Sequence, residues 1–218
     1  MVRALNVDIG SKSRDSMPSP TPTTASTVPP SETKNPVDSH PSAVPVSRYV
    51  LFFGLSIAGC GFDLWSKAAV FAWLGEPGQN RTFWFIEPYV GFQTSTNEGA
   101  LFGLGQGYTP VFALFSVVAA IGILYWLFVA KAANDWLLTT ALGLITGGIF
   151  GNLYDRLGIW GKAAVRDFIL FRYSDEYVWP NFNVADTLLV VGAGLMLWHS
   201  FFIAQHAPAE SEITQEPS

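Results

Sequence analysis

VFALFSVVAAIGILYWLFVA, residues 111–130, carries no charge and no polar stripe. A surface helix of a soluble protein would return a polar face every three or four residues, whereas a helix that is apolar all round faces lipid. About 20 helical residues cross the roughly 30 Å hydrocarbon core of a bilayer, so this stretch is long enough to span one. Three other stretches match it in character. The four spans are expected at Tyr49–Leu74, Pro110–Ala130, Trp136–Leu157 and Phe182–Ala204. The fold class is therefore an all-α membrane protein of four transmembrane helices.

Working outward, the chain divides into three parts. Residues 1–47 are rich in Ser, Thr and Pro with no apolar period, which cannot bury enough surface to offset ordering, and are expected as a disordered tail. Residues 207–218 read likewise. Residues 48–206 form the membrane domain. A net charge of -5 gives no basic footprint, so no nucleic-acid partner is expected. The single cysteine, Cys60, allows no intramolecular disulfide. Four spans put both termini on one side, and Arg48 beside the first span suggests that this side is cytoplasmic.

Topology then brings the loops at 75–109 and 158–181 to the same face. Nearly every unusual polar residue of the domain falls at that face: Asp63 and Lys67 late in the first span, Asn97 at the end of the first loop, Asn152, Asp155 and Arg156 closing the third span, Asp167 in VRDFI after it, and Asp186 opening the fourth. An ionisable residue in or beside the membrane costs several kcal/mol unless paired or hydrated, so such a convergence marks a candidate site. Each also has a structural reading. Asp63 and Lys67, spaced i,i+4, can neutralise each other; Arg156 suits a helix C-terminus; Asn183 with Asp186 three residues on resembles an N-cap with a first-turn acid. Gly143, Gly147 and Gly151 repeat every four residues, a spacing that favours close helix packing, and Gly148, one turn before Asn152, could clear space beside the site.

The inventory restricts the chemistry. His40, His199 and His206 are scattered away from the cluster, so no metal site and no cofactor is expected. Ser66 and Lys67 are adjacent on a helix and diverge by about 100°, which serves a serine–lysine dyad poorly. Two carboxylates remain, Asp167 and Asp186. Close together they would share one proton, and such a pair can deprotonate water while protonating an amide carbonyl. A proton or ion pathway and a non-catalytic scaffold are the other readings of the same residues.

These motifs, in order, resemble the lipoprotein signal peptidases, or signal peptidase II, which are bacterial membrane aspartic proteases. DLWSK (63–67) is similar to the family's D-Q-x-[ST]-K, NEGALFG (97–103) to N-x-G-A-A-F-G, GGIFGNLYDR (147–156) with VRDFI (165–169) to G-G-A-x-G-N-x-x-D-R followed by V-x-D-F, and FNVAD (182–186) to F-N-x-A-D. By position the resemblance implies catalytic Asp167 and Asp186, with Asp63, Lys67, Asn97, Gly99, Gly148, Asn152, Arg156, Asn183 and Ala185 binding substrate or supporting the site. It implies removal of the signal peptide from a prolipoprotein, just before a cysteine that carries diacylglycerol. The implied partners are such prolipoproteins and membrane lipid, and the chain is expected as a monomer. The implied place is the bacterial cytoplasmic (inner) membrane, with the active site at the extracytoplasmic face.

The resemblance also implies a small extracytoplasmic β element, for which RTFWFIEPYVGF (81–92) in the first long loop has the aromatic and β-branched content. Three departures stand out. Leu64 replaces the usual Gln, Leu101 replaces a small Ala, and the segment from Asp155 to Asp167 is longer than the family pattern, which puts the path of that loop in doubt.

Overall fold

A computed structural model of the protein describes residues 43–79, 81–99 and 105–206. The expected tails lie outside these residues, apart from 43–47, and so does Leu101. Along the chain run α1 (Val46–Leu74), β1 (Thr82–Ile86), β2 (Val90–Asn97), α2 (Thr109–Leu124), α3 (Trp136–Arg156), β3 (Val165–Arg172), β4 (Val178–Phe182) and α4 (Val184–His206). α2 continues as a wider π-helical turn over Tyr125–Val129, which carries the second span to its expected length. All four helices are long and apolar enough to cross a membrane.

α3 is the central helix. Two-thirds (67%) of its apolar window is buried against 11–22% for the other three, whose sides are left to lipid. Its small residues explain the position. Cβ atoms added at Gly143 and Gly147 would stand 3.3 Å from Phe52 O and 3.1 Å from Ser56 O, so α1 lies against α3 backbone to backbone. Ser56 Oγ donates to Gly143 O at 3.1 Å across the same contact. On the other side Gly192 of α4 sits over Ala141 O. The packing role expected of this glycine repeat is the one observed.

α3 begins at Asp135, whose Oδ1 accepts from Leu138 N at 2.9 Å as an N-cap. The other oxygen of Asp135 meets His199 Nε2 of α4 at 2.5 Å, tying the two helices at the end away from the polar cluster.

The β element differs from the expectation in its source. It is a four-stranded antiparallel sheet in the order β1-β2-β3-β4, and only its first hairpin draws on residues 81–92, with β2 running on to Asn97. The second hairpin comes from the loop between α3 and α4, and β2 pairs with β3 to join them. The reason is burial. Val165 to Phe168 are buried without alternation, a strand covered on both faces, and a short apolar run of that kind does not announce a strand by its period. Phe168 anchors the sheet to the membrane domain by packing on Val70 and Leu74 at the end of α1.

Candidate active site

The site grows from the junction of β4 and α4. Asn183 caps α4: its Oδ1 accepts from Asp186 N at 3.0 Å, and Asp186 Oδ2 in return accepts from Asn183 N at 3.2 Å, a reciprocal capping box. The amide nitrogen of the same Asn183 donates to Asp167 Oδ1 of β3 at 2.6 Å. Capping and site are thus one arrangement rather than competing explanations.

From α3, Asn152 completes the link. Its Nδ2 donates to Asp186 Oδ1 at 2.8 Å, and its Oδ1 accepts from Asn183 Nδ2 at 3.1 Å and from Lys67 Nζ at 3.0 Å. The two carboxylates are therefore held by a pair of mutually bonded amides. Both line one cavity of about 190 Å³, with Asn97, Arg156, Leu189 and the strand residues Trp179 to Phe182 forming other parts of its wall. The β3–β4 hairpin is what folds the chain back so that residues 19 apart in sequence face the same space.

Behind the cavity lies a buried ion network. Lys67 Nζ is 2.7 Å from Asp63 and 3.2 Å from Asp155, and Asp155 accepts from the Arg166 guanidinium at 2.7 Å and from Arg166 N at 2.9 Å. Asp63, Lys67 and Asp155 are fully excluded from solvent. Two acids and two bases cancel, which is the condition for keeping four charges in such a place. Arg156 remains, lining the cavity together with Asp167 and Asp186. The whole cluster is neutral when those two carboxylates together hold a single proton.

Burial pushes the Asp167 carboxyl up to about 8, and the neighbouring Asp186 charge pushes in the same direction, against the Asn183 hydrogen bond and Lys67. At neutral pH Asp167 is thereby kept protonated. A protonated and an unprotonated carboxyl facing one cavity can move a proton from a water while giving one to a carbonyl oxygen.

The other expected residues are distributed as follows. Ala185 is buried and its N–H donates to Asp63 Oδ1 at 2.8 Å, so its place in the cluster comes from its backbone. Gly148 clears space for α4 rather than for a ligand: an added Cβ would meet Ala185 O at 2.5 Å and Leu189 Cγ at 3.0 Å. Gly151 similarly leaves room for the Asp63 carboxylate and the Ala185 methyl. Asn97 lines the cavity and folds its own loop, accepting from Gly99 N at 2.9 Å and Gln106 Nε2 at 3.2 Å. Gly99 enters through that turn and is not among the cavity-lining residues.

Arg166 is the residue that sequence reading missed. It stands beside Asp167 on β3, where alternation sends neighbouring side chains to opposite faces. The longer loop ahead of it turns at Gly158 and Gly161, with φ of 72° and 111°, and lays Trp160 against the Arg166 guanidinium, 5.1 Å from ring centre. Trp160 is thus a packing residue here.

A sequence model of the family described as signal peptidase (SPase) II matches residues 55–202, which takes in α2, α3, the sheet and most of α1 and α4. The chain belongs to the signal peptidase II family. A protein of Rhodopirellula baltica named lipoprotein signal peptidase is 51% identical over 193 residues, covering 85% of this chain and 86% of that one. One of the same name from Geobacillus thermodenitrificans is 33% identical over 159 residues, 72% of this chain and 93% of its own. A solved bacterial membrane enzyme, 23% identical, superposes with a TM-score of 0.61 over 78% of this chain and 96% of that one, so the signal peptidase II chain shares its fold.

Proposed function

We infer that the chain is a membrane aspartic endopeptidase that removes the signal peptide from prolipoproteins, cutting before the diacylglyceryl-modified cysteine. Family membership carries the reaction. The assignment of Asp167 and Asp186 as its catalytic residues rests on one observation: two carboxyls open on one cavity, and burial with the neighbouring Asp186 charge pushes that of Asp167 up to about 8.

In this reading Asp186 takes a proton from a water whose oxygen attacks the scissile carbonyl carbon, while Asp167 gives its proton to the carbonyl oxygen. The tetrahedral diol then collapses. The carbon–nitrogen bond breaks, the cysteine nitrogen leaves with the proton that Asp186 took from the water, and a hydroxyl of the diol gives its proton to Asp167 as the carboxyl product forms, so the pair returns to one proton. Arg156 and the Asn152–Asn183 amides hold the carboxylates and their single negative charge in position, and Asp63, Lys67 and Asp155 brace them from behind. The protein is a multi-pass protein of the bacterial inner membrane. Both termini are assigned to the cytoplasm, from Arg48 at the start of α1, and the cavity to the extracytoplasmic surface, where a lipid-bearing cysteine lies. A monomer suffices, since one chain supplies every group named.

The test is processing of a diacylglyceryl-modified prolipoprotein by the Asp167→Asn and Asp186→Asn variants in vesicles. Both should insert and fold while losing cleavage by at least about 10²–10⁴-fold, the range for a lost general acid or base. Unchanged processing by either variant removes the dyad.

A further inference from the structure

The catalytic cavity has a neighbour along the sheet. A second cavity, of about 660 Å³, lies at the turn end of the sheet and is lined by Tyr89, Phe171, Arg172, Tyr173, Tyr177 and Trp179 among others. Trp179 and Pro180 belong to the walls of both cavities. Alternation along β3 puts Asp167, Ile169 and Phe171 on one face, so the face that presents Asp167 also presents a wall of the second cavity, roughly 13 Å further along. β4 is an edge strand, pairing with β3 alone among the described strands.

The lining is aromatic and open. Tyr89 is 50% exposed and Tyr177 75%, so both rings offer apolar area at the pocket. Tyr and Trp pair an apolar ring with a polar edge, which suits the level where lipid glycerol esters meet acyl chains. The catalytic cavity has a wall of a different kind towards the helices, where Asn152 and Arg156 of α3 and Leu189 of α4 descend into the membrane. That wall suits the departing signal peptide. The aromatic pocket, reached along β3 from Asp167 to Phe171 and joined to the catalytic cavity through Trp179 and Pro180, suits what is attached beyond the scissile bond.

We propose that the aromatic pocket between Tyr89 and Tyr177 holds an acyl chain of the diacylglyceryl group on the substrate cysteine. This rests on the prolipoprotein reading above. The spacing selects the acyl chain rather than the glyceryl unit: the glyceryl carbons stay beside the cysteine sulfur at the dyad, and only a long chain reaches Phe171. Arg172 at the rim can donate to an ester carbonyl oxygen that follows the chain in.

The test uses the purified full chain in detergent with two synthetic lipopeptides whose cysteine carries either a dipalmitoylglyceryl or a diacetylglyceryl group. Tyr89→Ser and Tyr177→Ser should each raise KM for the long-chain substrate about tenfold with kcat unchanged, the pattern of lost binding rather than lost chemistry. KM for the short-chain substrate should not move. Tyr125→Ser, another exposed ring but at the far end of the domain, should affect neither. Equal losses on both substrates would assign the rings to the peptide or to bulk lipid, and no loss on either would leave the pocket without a substrate; each result overturns the proposal. A photoreactive group at the end of the palmitoyl chain gives a readout on the unmodified protein, with labelling expected at Tyr173 or Tyr177. Labelling confined to α1–α4 overturns it too. A wild-type chain that cleaves neither substrate refutes the prolipoprotein reading itself, an outcome distinct from any of these.

Discussion

Asp167→Asn should make the protein more stable as it makes it inactive, and the gain should grow with pH. Asp167 is 3% exposed and its carboxyl is held up to about 8, against about 3.9 in an unfolded chain. A carboxyl raised in the folded state contributes its full stability below about pH 4 and loses it as pH climbs towards 8, because the unfolded chain ionises first. At 1.36 kcal/mol per unit, the wild type forgoes about 4 kcal/mol by pH 7 but only about 1–2 kcal/mol at pH 5. Asparagine never ionises, is nearly isosteric, and can present Oδ1 to the same Asn183 Nδ2 that now donates to Asp167 at 2.6 Å. Thermal unfolding of wild type and variant in the same detergent at pH 5 and pH 7 measures the difference. The variant's advantage should widen by about 2–3 kcal/mol between the two pH values, which is several degrees in Tm for a domain of this size. An advantage that does not change with pH, or a variant less stable at pH 7 than at pH 5 relative to wild type, refutes the burial argument and with it the assignment of Asp167 as the proton holder.

Three further outcomes follow from the same geometry. Cleavage should fall as pH rises through about 8, where the dyad loses its shared proton, and a rate profile over pH 6–10 reads that limb directly. Asp155→Asn should cost about 3–5 kcal/mol in unfolding experiments by leaving Lys67 and Arg166 without their common partner, and it should move the alkaline limb to lower pH, because the Asp155 charge helps to hold the Asp167 proton. Gly148→Ala should leave a folded protein with cleavage reduced about 100-fold, since its Cβ would push Ala185 and the first turn of α4 away from β3; cleavage and circular dichroism together test this.

The helices were legible because span length and all-round apolarity are local properties of the chain. α1, α3 and α4 fall within a few residues of their expected limits. The centrality of α3 was written in Gly143, Gly147 and Gly151, although only the partners of those glycines say which helix comes close. β3 and β4 were not legible as strands. VRDFILFR is covered on both faces and so lacks the period of two, and β4 is a five-residue edge strand interrupted by Pro180. The motif residues could be recognised, but the sheet that carries Asp167 could not. Arg166 escaped for a related reason. Its partner Asp155 lies 11 residues back, across a loop whose path depends on left-handed Gly158 and Gly161, and nothing local indicates that pairing.

Asn183 explains why fold and chemistry cannot be separated here. The first N–H groups of a helix have no partner within it, and in a membrane they must find one. In α4 the Ala185 N–H goes to Asp63 of α1, the Asp186 N–H to the Asn183 side chain, and the Thr187 N–H to the Asn183 carbonyl at 3.2 Å. Each acceptor also belongs to the polar cluster: Asp63 through Lys67, and Asn183 through Asp167 and Asn152. The groups that close the end of α4 are therefore the groups that orient the two carboxylates. The positive end of the α4 dipole also falls at Asp186, in its first turn, where a negative charge is favoured. A bilayer demands that this helix end be satisfied, and satisfying it with Asp63 and Asn183 holds Asp186 and Asp167 in the lining of one small cavity. The buried ion network costs desolvation that an apolar core would avoid, and through Asp63 it is tied to the first turn of α4, beside Asp186.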